Sequence, residues 1–228
     1  MLGFNTALAP REVRIPVDDT CLYGDLVSPP GFRGLVLFAH GSGSGRHSAR
    51  NRQVARHLQC AGIATLLLDL LTAQEERTDL NTREHRFDIS LLTRRMQDAT
   101  AWVAVQPELQ HAAIGYFGAS TGSAAALLAA ARLGNKVAAV VSRGGRPDLA
   151  GLVALAAVTA PTLLIVGGAD HEVIKLNQQA LQHLRCEKSL AMVTGATHLF
   201  EKADALEQAA QLASSWFTAH LTSLRCTT

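Results

Sequence analysis

Ala112-Ala113-Ile114-Gly115-Tyr116-Phe117-Gly118-Ala119-Ser120-Thr121-Gly122-Ser123-Ala124-Ala125-Ala126 is the stretch that decides the fold. It begins as an apolar run, narrows through Gly-Ala-Ser-Thr-Gly and resumes as an Ala-rich run. We read it as a strand over Ala112–Phe117, a tight turn, and a helix over Thr121–Leu133. Ser120 stands at the apex of the turn. A serine hydroxyl is a poor nucleophile in water. It becomes useful when a sharp turn lifts it out of a sheet and a histidine can take its proton. Gly118 and Gly122 have no Cβ, so strand and helix can close around a strained serine backbone. Such a turn calls for an aspartate and then a histidine downstream, each just after a strand.

Outward from this stretch, apolar runs and helical periods alternate. Arg11–Val17 and Leu22–Ser28 read as strands around a turn at Asp18-Asp19. Leu35–Ala39, Ile63–Leu68 and Thr162–Val166 are continuous apolar runs, the pattern of strands buried on both faces. Val137–Ser142 and Ser189–Val193 complete the strands. Helices are expected over Ser48–Ala61, after a cap at Asp88, around Leu149–Ala157, over Val173–Leu184 and over Ala203–Leu221. Leu70–Arg86 is charged and without clear period, so it reads as a long loop. The class is α/β, with a mostly parallel sheet covered by helices on both faces. No repeat or linker interrupts residues 1–228, which read as one domain.

Composition narrows the function. The chain has 228 residues, 48% hydrophobic, with a net charge of +2, so nothing pulls it toward nucleic acid. No apolar run approaches the ~20 residues that span a bilayer. Met1–Pro10 lacks the basic start and apolar stretch of a signal peptide, so a cytoplasmic location is expected. Cys21, Cys60, Cys186 and Cys226 are widely spaced, which argues against a disulfide framework or a zinc site. Cys60 and Cys186 read as buried thiols. Neither metal nor cofactor is expected. Arg46, Arg50, Arg52 and Arg56 read as a solvated helix face rather than an anion site.

The chemistry requires a base, an acid to orient it, and N–H groups for an oxyanion. Loops after parallel strands open on one edge of the sheet. His198 follows the Ser189–Val193 strand, and Asp170 follows Thr162–Val166. Asp148 is the alternative acid, and His171 reads as a turn residue. His40-Gly41-Ser42-Gly43-Ser44-Gly45 follows Leu35–Ala39, where glycines let backbone N–H groups turn inward. The oxyanion donors are assigned to the N–H groups of Ser42 and Thr121, and His40 to holding the loop. Arg143 and Arg146 stand after a strand at the same edge, where they could meet a substrate carboxylate or instead pair with Asp148. The glycine run also has a dinucleotide-binding reading, with Asp69 as the ribose acid, but Arg46 stands where the third glycine belongs.

These residues resemble the α/β-hydrolase superfamily and, more narrowly, its dienelactone hydrolase-like group. The resemblance runs from Leu35 to about Leu221. It rests on His40-Gly41, the turn at Ser120, Asp170 before Val173, and His198 before the last helix. It implies an eight-stranded, mostly parallel sheet whose second strand is antiparallel, and a triad of Ser120, Asp170 and His198. Dienelactone hydrolases proper carry cysteine at the turn. Ser120 therefore favours a general ester, thioester or lactone hydrolase acting on a small molecule. The short segment between Ser142 and Thr162 excludes a large cap, so the site should be shallow, framed by Leu70–Arg86 and Arg143–Asp148. A non-catalytic scaffold that binds a ligand or partner is the second reading, and a nucleotide-binding protein the third.

Overall fold

The computed structural model describes residues 8–221. Residues 1–7, within the Met1–Pro10 start, and Cys226 lie outside the described residues. Eight strands form one sheet in the order β1-β2-β4-β3-β5-β6-β7-β8. They are β1 (Arg11–Val17), β2 (Thr20–Val27), β3 (Gly34–Ala39), β4 (Ala64–Leu68), β5 (Ala113–Ala119), β6 (Ala139–Arg143), β7 (Thr162–Gly167) and β8 (Lys188–Val193). β2 is antiparallel to both β1 and β4, and every other pair is parallel.

Alternation along each strand divides the core in two. Leu35, Leu37 and Ala39 of β3 point to one face, and Val36 and Phe38 to the other. The first face is covered by α3 (Ile89–Ala104), α4 (Thr121–Leu133), α5 (Leu152–Ala157) and α6 (His171–His183). The second is covered by α1 (Ala49–Cys60) and α7 (Ala203–His220). α3 buries Leu92, Met96, Ala99 and Val103 on one stripe, beginning at an Asp88 cap. α7 does the same with Leu206, Ala210, Ala213 and Phe217.

One expected loop is partly a helix. Within Leu70–Arg86, residues Ala73–Thr82 form α2. Its ten residues contribute almost nothing to the core, which is why apolar period does not reveal it. Local polar bonds hold it instead. The Thr72 hydroxyl accepts from the Glu75 N–H at 3.2 Å, and the Glu75 carboxylate accepts from the Thr72 N–H at 2.7 Å. At the other end buried Asp79 accepts from the N–H groups of His85 and Arg86 and from Arg86 Nε. The Thr72-x-x-Glu75 spacing is the sequence signal of this helix.

Two smaller expectations also change. Cys60 ends α1 on the exposed side, and Cys186 is half-buried, so neither is a core thiol. His171 is the first residue of α6 rather than a turn residue.

Candidate active site

Sheet register gathers the strand ends. Ala39 pairs with Gly118, Ala119 with Arg143, Arg143 with Ile165, and Gly167 with Val193. The residues that follow β3, β5, β6, β7 and β8 therefore emerge at one edge. A cleft of about 260 Å3 opens there, lined among others by Gly41, Ser42, Ser120, Arg143, Gly144 and His198.

Ser120 joins β5 to α4 with φ 50° and ψ −123°, a conformation that costs a non-glycine residue about 1–3 kcal/mol. Surrounding bonds hold it there. The Ser120 N–H donates to the Arg143 carbonyl at 3.3 Å, and the Ser120 carbonyl accepts from the Arg146 N–H at 3.1 Å. The flanking glycines are required by space. A Cβ on Gly122 would lie 2.3 Å from the Ala39 carbonyl oxygen, and one on Gly118 would lie 2.4 Å from Ser123 Cα.

His198 and Asp170 meet. Asp170 Oδ2 is 2.8 Å from His198 Nδ1. A carboxylate only accepts, so Nδ1 carries the proton and Nε2 keeps its lone pair. The β7 and β8 loops are tied together by Gly168 N–H to the Val193 carbonyl and Ala169 N–H to the Ala196 carbonyl. Asp170 also caps α6, accepting from the Val173 N–H at 3.4 Å. Beyond His198, the buried Phe200 anchors the loop at φ 52°. The structure thus places Ser120 and His198 on one cleft and Asp170 behind the imidazole. Asp148 is committed elsewhere, in a two-point pair with Arg146 at 2.9 and 2.7 Å.

His40 is buried and bonded on both ring nitrogens. The Leu70 N–H donates to Nε2 at 3.1 Å, so Nδ1 must carry the proton that is donated to the Gly41 carbonyl, 2.9 Å away. Burial holds its pKa below the ordinary histidine value, outweighing the Gly41 bond and the nearby Asp69 and Glu76. His40 is a neutral strut between the β3 and β4 loops. The Ser42 N–H already has a partner, donating to the Thr121 hydroxyl at 2.9 Å. As an oxyanion donor it would have to leave that bond. The Thr121 N–H, first in α4, has no intrahelical partner.

The arginines separate. Arg146 belongs to Asp148, so the expectation of a substrate contact there gives way to the ion pair, which also raises the guanidinium pKa. Arg143 is different. It ends β6, is 7% exposed, and has its guanidinium 5.7 Å from the Phe117 ring centre and 5.8 Å from that of Phe200. Among the described residues its guanidinium bonds only to Asn51 Oδ1, at 3.3 Å, and the buried Nη1 has no partner. Desolvation, and then the nearby charge of Arg50, pull its pKa down to about 10, so it stays cationic at neutral pH.

The arginine group at 46–56 is not one solvated face. Arg46 and Arg52 pair with Asp25, and Arg46 also pairs with Glu12 and Asp69, whereas Arg50 lines the cleft. Asp69 is thereby spent on Arg46, which removes the acid that a dinucleotide reading needs. Arg50 and Asn51 line the cleft and Phe200 packs against the Arg143 guanidinium, roles that sequence reasoning did not assign to them. Leu70–Arg86 does not line the cleft; Asp79 and Arg86 border a smaller neighbouring hollow.

The sheet order, the strained serine turn and the histidine–aspartate contact define an α/β-hydrolase. Residues 32–220 match the family model described as an alpha/beta hydrolase domain, and the chain belongs to that family. More narrowly it is dienelactone hydrolase-like. It is 56% identical to a dienelactone hydrolase from Anabaena variabilis, with a TM-score of 0.91 over 93% of this chain and 99% of that one. Est1E from Butyrivibrio proteoclasticus shares the fold at 15% identity and a TM-score of 0.77, over 91% of this chain and 98% of that one. Two Mycobacterium tuberculosis proteins, provisionally named phosphoribosyl transferases, are 54% identical over 214 residues, 94% of this chain. The chain spans 47% of their length, so their name covers a protein about twice as long as the matched segment.

Among the described residues no helix is long and apolar enough to cross a membrane, and no cluster of three or more His, Cys, Asp or Glu could hold a metal ion.

Proposed function

We propose that the chain is a serine hydrolase that cleaves a small ester, thioester or lactone through an acyl-enzyme. The observation that carries this is a strained Ser120 sharing one cleft with His198, whose Nδ1 is bonded to Asp170. Ser120 Oγ attacks the carbonyl carbon as His198 Nε2 takes the hydroxyl proton. Asp170 holds the imidazole in the tautomer that leaves Nε2 free, and stabilises the imidazolium once formed. The tetrahedral oxyanion faces the Thr121 N–H at the positive end of α4, with the Ser42 N–H as second donor once it leaves the Thr121 hydroxyl. The imidazolium returns its proton to the leaving oxygen or sulfur, and water activated by His198 then releases the acid.

Arg143 is assigned to a negative group on the substrate, since no carboxylate of the described residues pairs with it. We assign hydrolysis rather than phosphoribosyl transfer to this segment because the family match and the Ser120 geometry both fall within it. A panel of p-nitrophenyl esters, acyl thioesters and lactones tests the reading. Turnover should fall on the order of 10⁴- to 10⁶-fold in Ser120→Ala and in His198→Ala. Equal turnover in wild type and Ser120→Ala would remove the proposal.

A further inference from the structure

We propose that the Ser120 cleft contains a phosphate subsite, formed by the Arg143 and Arg50 guanidiniums and the N-terminus of α1. The substrate is then an ester, thioester or lactone that also carries a phosphate monoester. This deepens the hydrolase reading and rests on it for the chemistry.

The argument begins with charge. Arg143 is more than nine-tenths buried, and no carboxylate among the described residues pairs with it or with Arg50. Among the described residues the cleft lining contains neither Asp nor Glu. An unpaired buried cation is costly and is kept where a ligand completes it. The two guanidiniums lie close enough for Arg50 to disfavour the charge on Arg143, and an anion bound by both relieves that repulsion.

The helix adds to this. α1 is 12 residues long, capped by Ser48, and Ser48, Arg50 and Asn51 of its first turn line the cleft. Its first N–H groups have no helical acceptor and carry the positive end of the dipole. Asn51 also fixes Arg143 through Oδ1, so the helix start and the guanidinium are held in one frame. Two full positive charges and a helix N-terminus outweigh one carboxylate. They match a phosphate monoester, with a charge of about −1.5 to −2 and three acceptor oxygens. Arg143 lines the cleft, and its guanidinium, with one N–H given to Asn51, is the donor for one of those oxygens. The phosphate is a handle only. The acyl C–O or C–S bond breaks, the P–O bonds do not, and the phosphate leaves on whichever product bore it.

Calorimetric titration of the intact Ser120→Ala chain at about pH 8 and fixed ionic strength tests this, with inorganic phosphate and acetate as probes. Phosphate should bind at least about tenfold more tightly than acetate. Arg50→Gln and Arg143→Gln should each weaken phosphate by at least about tenfold, while Arg56→Gln, on an exposed part of α1, should not. Arg50 is only half-buried, so its variant carries the test if Arg143→Gln fails to fold. Equal affinity for acetate and phosphate, no heat with phosphate, or unchanged binding in Arg50→Gln would overturn the subsite. Fluorophosphonate labelling of the wild type separates the two claims. Labelling without phosphate binding overturns the subsite and leaves the hydrolase. Phosphate binding without labelling keeps the subsite and overturns the hydrolase.

Discussion

Asp170 does two jobs with two oxygens, and two substitutions separate them. Oδ2 accepts from His198 Nδ1 at 2.8 Å, and Oδ1 caps α6 through the Val173 N–H at 3.4 Å. Asp170→Asn keeps an oxygen for the cap. With that oxygen on the cap, the NH2 group faces Nδ1 and can only donate, so the imidazole turns to the tautomer with Nε2 protonated, which cannot take the Ser120 proton. Turnover should fall about 10⁴-fold, roughly 5 kcal/mol of transition-state stabilisation. Asp170→Ala loses as much turnover and the cap as well. A long cap bond is worth roughly 0.5–1 kcal/mol, or about 1–4 °C in Tm for a chain of this size. Hydrolysis of p-nitrophenyl acetate and a thermal melt, run on both variants, provide the readouts. The Asn variant should be as inactive as the Ala variant but melt higher. The reasoning fails if Asp170→Asn retains more than about a tenth of wild-type turnover, or if Asp170→Ala melts no lower than Asp170→Asn.

Three further outcomes follow from the geometry. Ser120→Gly relieves the φ 50° strain, so it should be more stable than Ser120→Ala by about 1 kcal/mol in urea unfolding while both are inactive. Gly122→Ala drives a Cβ against the Ala39 and His40 carbonyl oxygens at 2.3 and 2.4 Å, and should cost about 3 kcal/mol or more, measured the same way. For His40, whose pKa is lowered in the fold, the unfolded chain takes up the proton first as pH falls. Its contribution is fully present above about pH 6.5 and declines below it, by at most about 1.4 kcal/mol per pH unit. Urea midpoints at pH 7.5 and 5.5 should therefore fall more in wild type than in His40→Gln, and equal slopes would exclude the neutral-strut account.

What the sequence made legible was whatever chemistry repeats along the chain or sits at a fixed offset. β3, β4 and β7 are continuous apolar runs because both faces of those strands are buried, and α4 starts at Thr121 because the turn allows no other start. Asp170 and His198 were found by their position after strands. α2 was missed because its stability comes from the Thr72–Glu75 capping box and the Asp79–Arg86 pair rather than from a stripe. The prior bond between the Ser42 N–H and the Thr121 hydroxyl depends on two segments 79 residues apart, and no local pattern announces it. Arg143 and Arg146 are three residues apart, at the end of β6 and just beyond it, and look alike. One found Asp148, while the other was enclosed by Phe117, Phe200 and Asn51 from three other parts of the chain.

The central claim is that Ser120 is the group that takes the acyl chain. Mass spectrometry of the protein after treatment with a fluorophosphonate, digested and mapped by peptide, tests it most directly. A single adduct on the peptide containing Ser120, absent from Ser120→Ala and slowed in His198→Ala, is the predicted result. An unmodified Ser120, or an adduct on another residue with Ser120 untouched, would contradict it.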